Sequence, residues 1–136
     1  MQPLLQASSV TKYFGGFTAL DQINISVSKG ERLGLIGPNG SGKTTFINCI
    51  SGALRNDSGT IMFDGADISA LPAHQRIRRG IARSFQIPKP FPSMTVRENL
   101  LIPSEFGSTG ARSKDAQSPE EVLALIGLTE KVNETA

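Results

Sequence analysis

Polar and apolar residues alternate strictly through "QINISV", with Ile23, Ile25 and Val27 on one face and Gln22, Asn24 and Ser26 on the other. Period two is the mark of a half-buried strand, so the N-terminal region is expected to form an antiparallel sheet. In "RLGLIG" the residues Leu33, Leu35 and Ile36 crowd together without clean alternation. That pattern predicts a strand buried on both faces, running straight into a glycine-rich loop. After the loop, Phe46, Ile47 and Ile50 recur at helical spacing until Gly52 stops the run. The predicted order is strand, glycine loop, helix.

Further along, "NDSG" marks a turn, and "TIMFDGADI" predicts a strand entering a tight Asp64-Gly65 turn. "PAHQRIRRG" predicts a short basic helix ending at Gly80, and "IARSFQ" a return to strand. Beyond it the character becomes helical. Thr95 with Glu98 and Ser118 with Glu121 are both S/T-x-x-E capping boxes, the second with Pro119 at the favoured first helical position. Between them "PSEFGSTGARSKDAQ", rich in Gly, Ser and charge, predicts a mobile surface loop. There are no internal repeats.

A length of 136 residues suits one ordinary domain with its own core. The net charge of +2, from 14 basic and 12 acidic side chains spread along the chain, gives no case for nucleic acid or an anionic membrane surface. The single cysteine, Cys49, cannot form an internal disulfide, and "MQPLLQASSV" lacks the basic and apolar regions of a signal peptide. No apolar run approaches the roughly 20 residues of a spanning helix. The expectation is a soluble chain on the cytoplasmic side, reaching a membrane only through a partner.

The chemistry concentrates in "GPNGSGKTTF". Gly37, Gly42, Lys43 and Thr44 satisfy G-x-x-x-x-G-K-[ST], between a predicted strand and a predicted helix. Gly37, Gly40 and Gly42 let the backbone bend until successive N–H groups converge on phosphates, where a Cβ would obstruct turn or ligand. The helix aims its positive end at the same point. Lys43 is expected to bridge the β- and γ-phosphates and the Thr44 hydroxyl to ligate Mg²⁺. Pro38, Asn39, Ser41 and Thr45 complete the expected nucleotide contacts. A guanine-specific switch would need D-x-x-G and N-K-x-D elements, and neither occurs in the sequence.

"GPNGSGKTT", with "KYFGG" upstream and "RSFQ" downstream, resembles the nucleotide-binding subunit of an ATP-binding cassette (ABC) transporter. "RRGIARSFQIPKPFPSMTVRENLL" and "VLALIGL" most resemble the subunits of branched-chain amino-acid importers. The resemblance implies an α/β fold: an ABC-type P-loop NTPase core with an antiparallel N-terminal portion over residues 1–86, then the start of a helical subdomain over 87–136. It also implies ATP and Mg²⁺ as cofactors. Phe14 matches the position that stacks on adenine, with Tyr13 as the adjacent rival. Gln86 matches the Q-loop glutamine, whose side-chain oxygen reaches Mg²⁺ or the attacking water, which makes it a catalytic candidate beside Lys43. The implied partners are transmembrane permease subunits, contacted near Phe91 and Met94, a second ATP-binding subunit in a head-to-tail dimer, and indirectly a periplasmic or extracellular substrate-binding protein.

Other residues carry less. Arg76, Arg78, Arg79 and Arg83 are expected to form a solvated basic face, His74 to lie at the surface, and Cys49 to be a buried inert thiol. Asp64 could hold Mg²⁺ but is read as a hairpin turn. The family's signature motif, Walker B strand and switch histidine lie beyond the point matched by Ala136. The sequence holds no apolar run ending in Asp-Glu and no LSGGQ-like string. The chain is therefore expected to be an N-terminal half that hydrolyses ATP slowly or not at all and self-associates through open sheet edges. The alternatives are a non-hydrolysing nucleotide-binding module and a soluble ABC ATPase outside transport.

Overall fold

The computed structural model describes residues 2–107 and 117–136. Two compact units emerge, Met1–Arg76 and Ile77–Ala136.

The first unit is built on a four-stranded sheet. Strands β1 (Leu5–Phe14) and β2 (Phe17–Val27) form an antiparallel hairpin, and β3 (Ser58–Phe63) pairs with the other edge of β1. A two-residue β4 (Ala66–Asp67) completes the order β2-β1-β3-β4. The alternation in "QINISV" holds: Ile23, Ile25 and Val27 are half-buried while their neighbours are exposed. At the β3–β4 turn Asp64 and Gly65 adopt φ of 48° and 75°. Two successive positive φ values make the tight hairpin turn that Asp-Gly favours, so the aspartate turns the chain.

Helix α1 (Lys43–Ser51) lies on this sheet, burying Phe46 and Cys49, and stops at Gly52 in the left-handed conformation. Val10, Leu20, Ile61 and Ile68 complete the core. Helix α2 (Ala73–Arg78) follows in sequence.

The second unit holds α3 (Val96–Phe106), α4 (Pro119–Leu125) and a 3-10 turn at Thr129–Lys131. Both capping boxes are formed, Thr95 with Glu98 and Ser118 with Glu121, and Pro119 stands in the first turn of α4. A bridge between Thr95 and Thr135 and a bond from the Ala136 N–H to the Met94 carbonyl tie the last residues to the start of α3.

The structure departs from the sequence expectations in four places. "RLGLIG" forms no strand, and Leu33, Leu35 and Ile36 are exposed. "IARSFQ" forms none either. A strand exists only with a hydrogen-bonded neighbour, and among the described residues nothing pairs with either segment. The expected loop beginning at Pro103 is helical as far as Phe106; residues 108–116 of it lie outside the described residues. One interior proline costs α3 a single N–H···O bond without ending it. Arg76 does not join a solvated basic face: it is 1% exposed. His74, Arg78 and Arg79 are exposed, as expected.

Candidate functional site

The loop before α1 takes its shape from glycine. Gly40 and Gly42 have φ of 83° and 88°, values L side chains adopt only under strain. Around Gly40 a Cβ would meet nothing within 4 Å, but at Gly37 it would stand 2.8 Å from Ser41 Oγ, and at Gly42 2.6 Å from the Ala19 carbonyl oxygen. The loop is thus pressed against β2 at one end and open at its middle.

Helix α1 begins at this loop with no side chain capping it and no acidic residue in its first turn. The first N–H groups of a helix have no intrahelical partner, and with the helix dipole they favour an anion at this place. Lys43 Nζ donates to the carbonyl oxygens of Gly37 at 2.6 Å and Pro38 at 2.7 Å and to Ser41 Oγ at 3.2 Å. The ammonium is therefore held across the loop by bonds that a phosphate oxygen can replace. Thr44 is exposed and Thr45 half-buried directly behind. An uncapped helix start, an ammonium held over the loop and an exposed threonine hydroxyl are a donor set whose chemistry suits a phosphate group and a hard divalent cation.

The loop shares a face of the sheet with the β1–β2 hairpin end. A Cβ on Gly42 would meet Leu20 Cδ2 at 3.0 Å, so Leu20 faces the loop. Lys12 is the cross-strand partner of Leu20, and directly opposed residues share a face. The Lys12 ammonium in turn lies 5.7 Å from the centroid of the Phe14 ring. Both rings are half exposed, Phe14 at 49% and Tyr13 at 50%, and it is the Phe14 ring that the Lys12 ammonium lies beside. Phe17, opposite Phe14, is exposed as well.

Two residues brace the first unit: Asp57, whose role the sequence did not reveal, and Arg76, which was expected on a solvated face. Asp57 accepts from Lys12 Nζ at 2.8 Å and from the Tyr13 N–H at 2.7 Å. These bonds hold its carboxyl below the usual range, the Lys12 bond more than the backbone one. Arg76 donates to the carbonyls of Cys49 and Ile50 at the end of α1 and to Ser69 and Leu71, answering carbonyls that a helix C-terminus leaves unpaired. Cys49 is fully buried, and burial pushes its thiol pKa up, which fits an inert role.

In the second unit Gln86 is exposed. Phe91 is exposed and Met94 half-buried in the segment before α3. A second unanticipated residue, Asn99, fixes this segment: its Oδ1 accepts from the Phe91 N–H at 2.8 Å, and its Nδ2 donates to the carbonyls of Phe91, Met94 and Thr95. No group of three or more His, Cys, Asp or Glu that could hold a metal occurs among the described residues.

A P-loop opening a helix beside an antiparallel hairpin defines a nucleotide-binding cassette, and the comparisons agree. The family described as "ABC transporter" matches residues 20–136, and the chain belongs to it. Over 102 residues it is 53% identical to an Archaeoglobus fulgidus protein named probable branched-chain amino acid transport ATP-binding protein LivG, covering 75% of this chain and 40% of that one. A protein of the same name from Methanocaldococcus jannaschii is 48% identical over 73% of this chain and 38% of its own length. A Rhizobium johnstonii methionine import ATP-binding protein, MetN, is 37% identical over 96% of this chain and 36% of its own length. The chain thus spans about 40% of the curated relatives it matches. Among solved structures, an ABC transporter ATP-binding cassette in its ADP conformation superposes with a TM-score of 0.78 at 36% identity, covering 100% of this chain and 58% of that one. A nucleotide-free cassette gives 0.78 at 36%, with 99% and 58% covered. The fold is that of an ABC ATPase cassette, and the family implies nucleotide binding.

Proposed function

We propose that this chain binds Mg-ATP through residues 37–45 as the ATP-binding part of an importer that takes up branched-chain amino acids. The observation that carries this is the uncapped start of α1 with Lys43 Nζ held across the loop by exchangeable bonds to Gly37, Pro38 and Ser41. On binding, the ammonium trades those acceptors for β- and γ-phosphate oxygens. The N–H groups of Gly40, Ser41, Gly42, Thr44 and Thr45 surround the phosphates, with Pro38 and Asn39 shaping the turn. Thr44 Oγ1 would hold the Mg²⁺, which would supply neutralisation of phosphate charge, and the Phe14 ring would stack on adenine.

The transported class rests on the relatives named LivG. By the resemblance of "RSFQ" to the family's Q-loop, Gln86 would supply a neutral side-chain oxygen to the cation or the attacking water, a weak reversible contact suited to a group that shifts with a partner. Phe91 and Met94, pinned by Asn99, meet a permease subunit at the cytoplasmic side of a membrane. A second ATP-binding subunit faces the loop in a head-to-tail dimer, and a periplasmic or extracellular binding protein delivers substrate. By the family resemblance residues 1–86 would belong to the core and 87–136 would open the helical subdomain, although the compact units divide between Arg76 and Ile77. No helix among the described residues is long and apolar enough to cross a membrane.

Phosphoryl transfer also needs a group that orients the attacking water, and the sequence has no apolar run ending in Asp-Glu. Turnover by this chain is accordingly expected to be slow or nil. The test is calorimetric titration with Mg-ATP beside a phosphate-release assay, for the chain and for Lys43→Ala. Saturable binding abolished by the substitution, with background release, supports the reading. Equal binding by both proteins, or brisk release by the chain, contradicts it.

A further inference from the structure

We propose that Asp57 is a positioning residue for the base-stacking ring, its carboxylate clamping the hairpin end that carries Phe14. The inference rests on Phe14 as the base contact and assigns the means by which that ring is held.

The ladder between β1 and β3 ends at Thr11 paired with Ser58. Past that point β1 has lost its neighbour on this side, yet it must still carry Tyr13 and Phe14 to the tip. Asp57 fills the gap twice. Its own N–H donates to the Thr11 carbonyl at 2.9 Å, and its carboxylate accepts the Tyr13 N–H at 2.7 Å, standing in for the strand partner that β3 no longer supplies. The second carboxylate oxygen accepts from Lys12 Nζ at 2.8 Å.

The Lys12 end separates this arrangement from an ordinary surface pair, whose contribution is small. The Lys12 side chain is only 12% exposed although Asp57 is 40% exposed. The lysine stem is therefore laid down along the sheet, with its ammonium 5.7 Å from the Phe14 centroid. That contact is within cation–π range. One carboxylate thus fixes the backbone just before the ring and the cation beside it. Released, the last two residues of β1 keep only their pairing to Thr18 and Phe17 of β2, at the frayed tip of a hairpin where both aromatic side chains are exposed.

The chain has one tyrosine and no tryptophan, so its intrinsic fluorescence reports the clamped position directly. The experiment uses the whole chain with Asp57→Ala, Asp57→Asn and Phe14→Ala. It measures affinity for Mg-ATP and for inorganic tripolyphosphate, which has no base, and the nucleotide-free fluorescence anisotropy of Tyr13. Asp57→Ala is expected to weaken Mg-ATP by about fivefold, part of what a stacked base supplies, while leaving tripolyphosphate unchanged and lowering the anisotropy. Asp57→Asn keeps an acceptor for the Tyr13 N–H and recovers part of both losses.

A general loss of structure would weaken both ligands alike, and that result overturns the inference. So does wild-type affinity together with wild-type anisotropy in Asp57→Ala. If Phe14→Ala weakens Mg-ATP but Asp57→Ala does not, the positioning role alone fails. If Phe14→Ala also leaves Mg-ATP unchanged, the base contact itself is wrong and the inference falls with it.

Discussion

Gly42 and Ala19 set how closely the phosphate loop approaches the sheet: a Cβ on the glycine would stand 2.6 Å from the Ala19 carbonyl oxygen. At the same residue φ is 88°, so an added methyl meets both a backbone clash and left-handed strain. Gly42→Ala is expected to cost about 2 kcal/mol or more, since the strain alone is about 1–2 kcal/mol. Gly40→Ala, with φ of 83° but nothing within 4 Å of the added methyl, should cost only the strain. Urea melts of the two variants should rank them in that order, and equal midpoints would show that the approach to β2 is not tight.

Arg76 ties the end of α1 to the segment before α2 through bonds to Cys49, Ile50, Ser69 and Leu71. Burial pulls its pKa down, though an arginine stays charged regardless. Removing it strands several carbonyls in the interior. Arg76→Ala is expected to destabilise the first unit by about 3 kcal/mol. Arg76→Lys should rescue little, because one ammonium cannot reach acceptors spread around a planar fork. A lysine variant melting like the parent would contradict this geometry.

Acid should weaken the first unit through two carboxylates. Asp57 is held low by Lys12 and the Tyr13 N–H, and Asp67 by the hydroxyl and N–H of Ser69. A carboxyl whose folded pKa lies below its unfolded value stabilises the fold above about pH 4 and loses that contribution as pH falls through the folded value. Melting temperature is therefore expected to drop as pH is lowered from about 5 towards 2, more steeply in the parent than in Asp57→Asn/Asp67→Asn. Parallel curves would mean that neither carboxylate is coupled to folding.

In the second unit, Thr95 Oγ1 accepts the Glu98 N–H while Glu98 returns a carboxylate to the Thr95 N–H. Thr95→Ala is expected to cost about 1 kcal/mol, read as faster amide exchange in the first turn of α3. Unchanged exchange there would show that the bridge from Thr95 to Thr135, not the cap, holds this end.

What the sequence disclosed was local. The helix after the glycine loop, the stop at Gly52, the Asp64-Gly65 turn and both capping boxes depend on residues within a few positions of one another, and all formed. "RLGLIG" and "IARSFQ" failed as strands because their apolar character cannot supply a hydrogen-bonded neighbour, which is a property of the rest of the fold. Arg76 was misjudged for a related reason: its partners Cys49 and Ile50 lie 27 and 26 positions away, and nothing near it in sequence marks it for burial. Asp57 looked like a turn residue because its contacts to Lys12 and Tyr13 span 45 and 44 positions. Asn99 sits in an ordinary helical turn, and only the fold brings the Phe91 backbone within its reach.

The most direct measurement is backbone amide NMR of residues 37–45 during titration with Mg-ATP. If the loop cradles the phosphates, the Gly40, Gly42, Lys43 and Thr44 amides shift together in a saturable way, and Lys43→Ala abolishes the response while the sheet resonances stay in place. Shifts confined to the hairpin aromatics, or loop amides indifferent to saturating Mg-ATP, would contradict a phosphate site at this loop.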